Sequence, residues 1–428
     1  MDKLNRKKAP AIEDAVAFHL KLDTPLIYKL SNATPVYAMH GGAQEVVKIE
    51  WVFNAGNWYE DKNLIAASTN FLLKNGTKNK TALAISEAIE YYGASVSRSC
   101  YNETATITLH CLSKHVAILL PLIASLINEA VFPEDEINIY RKMQLQRLSV
   151  NLRKCDFVAN RLIDAVLYGE AHPYGITSNA AAYEALSREE LNAFYHQFYT
   201  HGFCKIFAAG HLPDNLDALL EAHFGSLPMN AKPLPDRAHN IIPNMVKKHH
   251  IINDENGVQG AIRIGRSFPG RKHPDYVKSL VLNNIFGGYF GSRLMSNIRE
   301  DKGYTYGIYS YIQPYQQQSA WMISTEAGRD VCAATIEEIY KEMNLLCAAP
   351  PDEDELYLVR NYMMGSLLGD LDGPFQQITR WKNYILNDLP EGYFEESIAT
   401  VKNISGEELL ALAREYFQQK DFYEIQVI

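Results

Sequence analysis

The sequence predicts an α+β protein of two similar halves, each a mainly antiparallel sheet covered by helices on one face. Predicted strands lie next to each other in the chain and are joined by short turns, with helical patterns clustered after them. Two pairs of segments also recur about half a chain apart. Since 428 residues exceed what one ordinary core accommodates, we expect at least two domains.

The N-terminal half opens with strands and continues with helices. Alternating apolar residues predict strands at 36–39, 46–53, 95–98, 104–111 and 203–209. Helical periodicity predicts helices at 64–74, 82–91, 136–148 and 187–199. Residues 101–103 read as a hairpin turn, which makes the third and fourth strands antiparallel neighbours.

The C-terminal half has a similar order of elements. The same patterns predict strands at 261–266, 306–312, 320–325 and 422–428. Helices are predicted at 276–286, at 331–347, at 405–417 and in a segment that ends near residue 299. A hairpin around residues 314–318 joins the second and third strands.

Two pairs of helix starts indicate an internal duplication. The capping-box sequence that begins at Ser187 recurs at Ser405, 218 residues later. A proline and a run of acids precede both the helix that contains Arg141 and the helix that contains Arg360, 219 residues later. Coincidence between common helix starts is the alternative, but two nearly equal separations favour duplication.

A segment rich in proline, asparagine and charge separates the halves. Residues 228–246 have no periodicity and are predicted to be a surface linker. We therefore expect an N-terminal α+β domain at 1–227 and a C-terminal α+β domain at 247–428.

Composition excludes several classes of protein. A hydrophobic content of 47% and a charged content of 21% are typical of a globular chain. The net charge of −9 argues against nucleic acid or an anionic membrane as the main partner. The longest apolar run, residues 116–127, is too short to span a bilayer. Polar residues Glu13, Asp14 and His19 interrupt any export signal, so we expect a cytoplasmic protein. The six cysteines show no paired spacing and are expected to be free thiols.

The most informative segment is residues 292–310. An amphipathic helix ends at Lys302 and Gly303, and a tyrosine-rich strand follows at once. Arg299, near the helix end, and Tyr306, near the strand start, can both point into this junction. There a cation and a phenol would hold an extended peptide by its carbonyl oxygens. Taken alone, such an arginine more often balances the helix dipole, and such a tyrosine is more often half-buried in a sheet.

This segment resembles the insulinase/pitrilysin-type metallopeptidases and the mitochondrial processing peptidases. Those proteins carry an Arg-x6-Tyr pair at the same junction, and the resemblance extends over nearly the whole chain. It implies two α+β halves that close like a clamshell over a peptide. It also implies that Arg299 and Tyr306 bind substrate.

The same resemblance implies that the metal site is missing. Active relatives carry His-x-x-Glu-His on a helix that ends in a Gly-Thr pair, here at residues 76–77. Aligned on that pair, the two histidine positions hold Ala67 and Phe71, and the glutamate position holds Asn70. In active relatives a further glutamate on a later helix completes the ligand set, and on the predicted helix 136–148 Arg147 stands at that position. None of these can ligate zinc or act as the general base. The nearby Gln144 and Gln146 are no better as a third ligand.

No other constellation in the sequence predicts a catalytic or metal centre. The thirteen histidines are scattered and have no acid at ligand spacing. There is no nucleophile elbow and no phosphate-binding loop, and the glycine-rich residues 286–291 follow no strand. We therefore expect this chain to bind no cofactor of its own.

The resulting hypothesis is a non-catalytic, peptide-binding subunit. Some bacterial and mitochondrial relatives work as pairs, in which one subunit supplies zinc and the other the Arg/Tyr half. The resemblance thus implies a heterodimer with a zinc-bearing homologous subunit, or self-association, with a peptide as substrate. Two alternatives stay open: a purely structural, scaffolding subunit, and an independent hydrolase that uses other residues.

Overall fold

The computed structural model describes residues 14–230, 234–235 and 237–428. The first half contributes a six-stranded sheet and a short two-stranded hairpin. Its strands are β1 (Leu26–Lys29), β2 (Pro35–His40), β3 (Val46–Phe53), β4 (Gly76–Thr77), β5 (Lys80–Thr81), β6 (Ser95–Cys100), β7 (Ala105–Leu112) and β8 (Cys204–Gly210). The second half contributes a five-stranded sheet. Its strands are β9 (Lys248–Ile251), β10 (Gln259–Phe268), β11 (Thr305–Pro314), β12 (Ser319–Gly328) and β13 (Tyr423–Val427).

Both large sheets are mainly antiparallel, as predicted. The six strands lie in the order β1-β2-β8-β3-β7-β6, and the only parallel pair among them is β2 with β8. The five strands lie in the order β11-β12-β10-β13-β9, with one parallel pair, β13 with β9. Strand β11 is therefore an edge strand that pairs on one side only, with β12.

Helices connect and cover these sheets. In the first half they are α1 (Ile65–Leu72), α2 (Ala82–Glu90), α3 (Val116–Asn128), α4 (Glu134–Asn151), α5 (Cys155–Tyr168), α6 (Ala180–Glu184), α7 (Arg188–Tyr195) and α8 (Leu216–Leu220). In the second half they are α9 (Asp275–Asn283), α10 (Cys332–Ala348), α11 (Glu353–Gly369), α12 (Pro374–Leu386), α13 (Tyr393–Asn403) and α14 (Gly406–Tyr416). The capping box predicted at Ser405 is present, with Glu408 as its acid.

Each sheet also receives one helix from the other half on its second face. Helix α5 packs on β10 and β13, where Ile163 joins the apolar cluster that contains Ile425. Helix α12 packs on β2 and β8, where Ile378 lies against Phe207. This exchange adds to the predicted one-sided layers. It holds the halves together, because separating them would expose both apolar contacts to water.

The segment between the halves runs along the first of them without regular secondary structure in its described residues. The N–H groups of Ile242 and Asn244 donate to the carbonyls of Tyr168 and Val166, at 3.2 and 2.9 Å. Among the described residues, no helix combines the length and the apolar composition that a bilayer crossing needs. All six cysteines are free, as predicted.

Candidate functional site

Helix α1, which carries the predicted zinc positions, is oriented by a buried carboxylate. Glu60 accepts hydrogen bonds from the N–H groups of Leu64 and Ala66, at 3.1 and 2.9 Å. Leu64 precedes the helix with φ of 76° and offers no side-chain cap, so Glu60 satisfies the exposed first turn instead. Burial raises the pKa of Glu60 to about 7.

The side chains at the former ligand positions have partners within the protein. Asn70 is buried, and its amide donates to the Thr106 carbonyl at 3.3 Å and to the Tyr199 hydroxyl at 3.1 Å. The Phe71 ring lies 4.8 Å from the ring of Tyr140 on α4. Two of the three α1 positions are therefore built into the packing between the helix and its neighbours.

A cationic side chain packs against Phe71. The guanidinium of Arg98, on β6, lies 5.1 Å from the Phe71 ring and donates to the Phe71 carbonyl. Burial lowers the pKa of Arg98, as expected for a cation in a desolvated position. No local pattern in the sequence predicts this arginine beside Phe71, because only the packing of α1 on β6 brings the two together.

These residues do not fit a zinc ion. Ala67 is exposed toward a cleft and carries only a methyl group, and Arg147 is exposed on α4. Arg98 would repel a dication at Phe71. Across the described part of the chain, no group of three or more histidine, cysteine or acidic side chains is arranged to hold a metal ion.

The cleft beside α1 lies between the two halves and encloses about 810 Å³. Ala67 and Glu60 line its first wall. The opposite wall is formed by α12 and by the turn between β11 and β12, with Lys382 and Tyr315 among the lining residues. The cleft is thus open to a ligand and contains residues of both halves.

Burial shifts two acidic groups in the cleft toward their protonated forms. Burial raises the pKa of Asp164 to about 7, and it also raises the pKa of Glu103. Glu103 accepts hydrogen bonds from the Tyr174 hydroxyl and, at 3.2 Å, from the Gln316 N–H. The Tyr174 ring stacks on Tyr315 at 4.1 Å. These contacts fasten the β11–β12 turn to the first half.

A cysteine in the same cleft has the wrong electrostatics for a nucleophile. Cys100 ends β6 and lines the cleft. Burial raises the pKa of its thiol to about 12, with Glu60 adding to the shift. A thiol with that pKa holds a negligible fraction of thiolate near neutrality.

Arg299 and Tyr306, the second predicted feature, lie next to each other in the structure. Arg299 lies in the π-helical segment Met295–Asp301, whose end is followed by Gly303 with φ of 65°. Its guanidinium lies 5.0 Å from the centre of the Tyr306 ring and 4.8 Å from the centre of the Phe290 ring. The cation is thus held by two aromatic rings. The sequence did not lead us to predict Phe290 as a site residue, although an aromatic residue within the glycine-rich residues 286–291 points to it.

A β-bulge at the start of β11 presents the tyrosine to solvent. Pairing with β12 shifts register between Thr305 and Ile308. The Thr305 hydroxyl accepts the Gly307 N–H at 3.1 Å and lies 2.6 Å from the Glu326 carbonyl, which fixes the bulge. Tyr306 remains 88% exposed, so its hydroxyl is free for a ligand.

The Arg299–Tyr306 pair and the cleft are separate sites on this chain. Gln313, near the far end of β11, lines the cleft, but Arg299 and Tyr306 do not. Seven residues of strand separate Tyr306 from Gln313, which corresponds to about 20 Å. The pair therefore lies outside the cleft that Ala67 lines.

Sequence models of one peptidase family match the chain in two segments. The model described as Insulinase (Peptidase family M16) matches residues 37–174. The model described as Peptidase M16 inactive domain matches residues 185–363. Together the two segments include α1 with its lost ligands and the Arg299–Tyr306 junction.

The sequences of individual proteins are also similar to this chain over most of its length. An uncharacterized zinc protease, YmxG, from Bacillus subtilis (strain 168) is 24% identical over 348 residues, which cover 80% of this chain and 83% of that protein. An uncharacterized zinc protease from Rickettsia felis is 21% identical over 401 residues, 91% of this chain and 94% of that protein.

Solved structures share the fold. A peptidase M16 inactive domain from Pseudomonas fluorescens superposes with a TM-score of 0.85 at 22% identity, over 94% of this chain and 98% of that one. A chain of complex III2 from Candida albicans superposes with a TM-score of 0.73 at 15% identity, over 94% and 95% of the two chains.

Proposed function

The chain belongs to the insulinase family, peptidase family M16, and from that premise we propose that it is a non-catalytic, peptide-binding subunit. In this proposal it pairs with a second subunit of the same family that carries His-x-x-Glu-His and zinc. The pair hydrolyses peptides, and this chain binds and orients the peptide backbone.

One observation carries the proposal: Arg299 and Tyr306 are held ready at a free sheet edge, about 20 Å along β11 from the cleft of their own chain. A guanidinium and an exposed phenol both donate hydrogen bonds to a carbonyl oxygen. Because nothing on this chain's α1 can attack a peptide bond, these donors serve chemistry that another subunit provides.

The edge strand beside the pair supports peptide binding. The outer side of β11 pairs with no strand of the described residues, so its N–H and C=O groups are available to an extended peptide. Tyr309 and Tyr311 are exposed on the same strand, 54% and 38%, respectively. A peptide that adds to β11 would place one carbonyl near Arg299 and contact these rings.

The role of the two donors in hydrolysis follows from charge. When a carbonyl carbon is attacked, negative charge develops on its oxygen. Arg299 supplies a permanent cation and Tyr306 a hydroxyl proton, and both interactions strengthen as that charge grows. Phe290 and Tyr306 hold the guanidinium in place, so little reorganisation is needed.

The alternatives have less support. A scaffold would not need a cleft of about 810 Å³ or a half-buried arginine between two exposed rings. An independent hydrolase would need a nucleophile or a metal, and the cleft offers Cys100 with a raised pKa and no cluster of metal ligands among the described residues. Self-association would bring together two chains without zinc ligands, which would bind peptide but not cleave it.

The test is to co-express this chain with a His-x-x-Glu-His homologue from the same genome and to measure peptide hydrolysis by the purified complex. Arg299→Ala should lower kcat/KM about 100-fold, and Tyr306→Phe about tenfold, without loss of the complex. Arg153→Ala and Tyr91→Phe are matched controls, since both residues are exposed elsewhere. Wild-type hydrolysis by the Arg299→Ala complex, or hydrolysis by this chain alone, would refute the proposal.

A further inference from the structure

A second cavity, adjoining the cleft, has three permanent cations and one carboxylate among its lining residues, although the chain carries a net charge of −9. It encloses about 610 Å³ between the beginning of α12 and residues of β3 and β7. We call it the basic pocket. Its charged and ionisable lining residues are Lys48, His110, Arg271, Asp370 and Arg380. Three permanent cations thus share the lining with one carboxylate.

Most of these cations already have partners. Arg380 pairs with Asp370 at 2.7 Å, and Lys48 pairs with the buried Glu50 at 3.0 Å. Arg271 is different. It forms no ion pair with any carboxylate of the described residues, and its Nε is buried without a hydrogen-bond partner.

The Arg271 guanidinium lies 5.8 Å from the centre of the Tyr276 ring, but its buried Nε–H has no acceptor, and an acceptor atom of a ligand would satisfy it. The surroundings of Arg271 suit an anion. Asn383 lines the same pocket and can donate from its amide, whereas the Thr379 hydroxyl beside it already donates to the Phe375 carbonyl at 2.7 Å. Helix α12 begins there without a side-chain cap, so its positive end adds to the field. Burial, and to a smaller extent Lys48, lowers the pKa of His110, while Glu50 opposes the shift.

We propose that the basic pocket binds an oxyanion, a carboxylate or a phosphate, on the guanidinium of Arg271. Planar oxyanions accept two parallel hydrogen bonds from an arginine fork. Two sources share this chemistry: an acidic side chain of a polypeptide lying in the cleft, and a free inorganic anion. The polypeptide source is geometrically open because Arg271, Thr379 and Asn383 line both the cleft and the basic pocket.

The experiment measures binding to the isolated chain by calorimetry, with no partner and no activity assay, so its result is independent of the proposed function. One arm titrates an end-capped peptide that contains glutamates, next to the same peptide with glutamines. The other arm titrates inorganic phosphate. Arg271→Gln should weaken binding at least tenfold, while Arg271→Lys should keep part of the affinity. Arg153→Gln, the same change at an exposed site, is the matched control.

The two titrations distinguish the two possible sources of the oxyanion. Tighter binding of the glutamate peptide than of the glutamine peptide, lost in Arg271→Gln, supports the polypeptide source. Phosphate binding with the same loss, and no preference between the peptides, supports the free anion. If Arg271→Gln does not fold, Asn383→Asp at an exposed lining position adds a negative charge and should abolish binding. No binding to the wild type, or equal binding by Arg271→Gln and Arg153→Gln, would overturn the proposal.

Discussion

Two regions of this molecule that the sequence singles out, the middle of α1 and the start of β11, have opposite relations to solvent. On α1, Asn70 and Phe71 are engaged by neighbours: Asn70 by a carbonyl and a hydroxyl, and Phe71 by Tyr140 and Arg98. At the start of β11, Tyr306 is 88% exposed. The first region serves packing, whereas the second remains available for binding.

The comparison teaches how positions that serve packing differ from positions that are open to a ligand. At Asn70 and Phe71, contacts with neighbouring side chains stabilise the fold. A binding position must keep its donors unsatisfied until a ligand arrives. In the first region the side chains have partners within the protein, whereas in the second Tyr306 is exposed to solvent. Substitutions in the two regions should reveal this difference.

The largest effect is expected from restoring the zinc motif. A triple variant, Ala67→His with Asn70→Glu and Phe71→His, places a carboxylate where Asn70 is buried and removes the Phe71 contact. We expect a loss of about 3 kcal/mol in the free energy of unfolding and no bound zinc, because Arg98 remains. Chemical denaturation and metal analysis of the purified chain measure both. Ala67→His alone, at an exposed position, should be nearly neutral. Stoichiometric zinc in the triple variant would contradict this view of the site.

A smaller effect separates the two regions by stability alone. Phe71→Ala removes packing on Tyr140 and Arg98 and should destabilise the chain by about 2 kcal/mol. Tyr306→Ala, at an 88% exposed position, should change stability by less than about 0.5 kcal/mol. Both values come from urea unfolding. Equal losses in the two variants would mean that Tyr306 is a structural residue.

The sequence predicted the sheets and the Arg299–Tyr306 junction because both depend on local patterns. Hairpin turns, strand alternation and the glycine that ends the helix before β11 are all encoded within a few residues. It did not predict that α5 and α12 pack on the sheet of the other half, or that Arg98 stacks on Phe71. Those contacts join residues far apart in the chain, and no local pattern specifies which of several apolar faces will meet.

The cleft should make stability depend on pH in a way that the exposed junction does not. Burial raises the pKa of Asp164 from its ordinary value near 4 to about 7. The folded state therefore favours the protonated acid, and this stability is lost as pH rises from about 4 through 7. Asp164→Asn should change the free energy of unfolding more favourably at pH 8 than at pH 4, and the difference between the two effects should be about 2 kcal/mol. Asp156→Asn, exposed on the same helix, is the control. Urea unfolding at the two pH values tests this, and identical effects of Asp164→Asn at both would contradict it.

The smallest effect concerns Phe290, whose ring lies 4.8 Å from the Arg299 guanidinium. Phe290→Ala removes one of the two rings that restrain the guanidinium, so in the paired enzyme kcat should fall about threefold while KM changes little. Stability should be unaffected, since Phe290 is 58% exposed. Phe290→Tyr keeps the ring and should behave like the wild type. If Phe290→Ala matches the wild type in kcat, Tyr306 alone is sufficient to hold Arg299, and the junction is simpler than a cation between two rings.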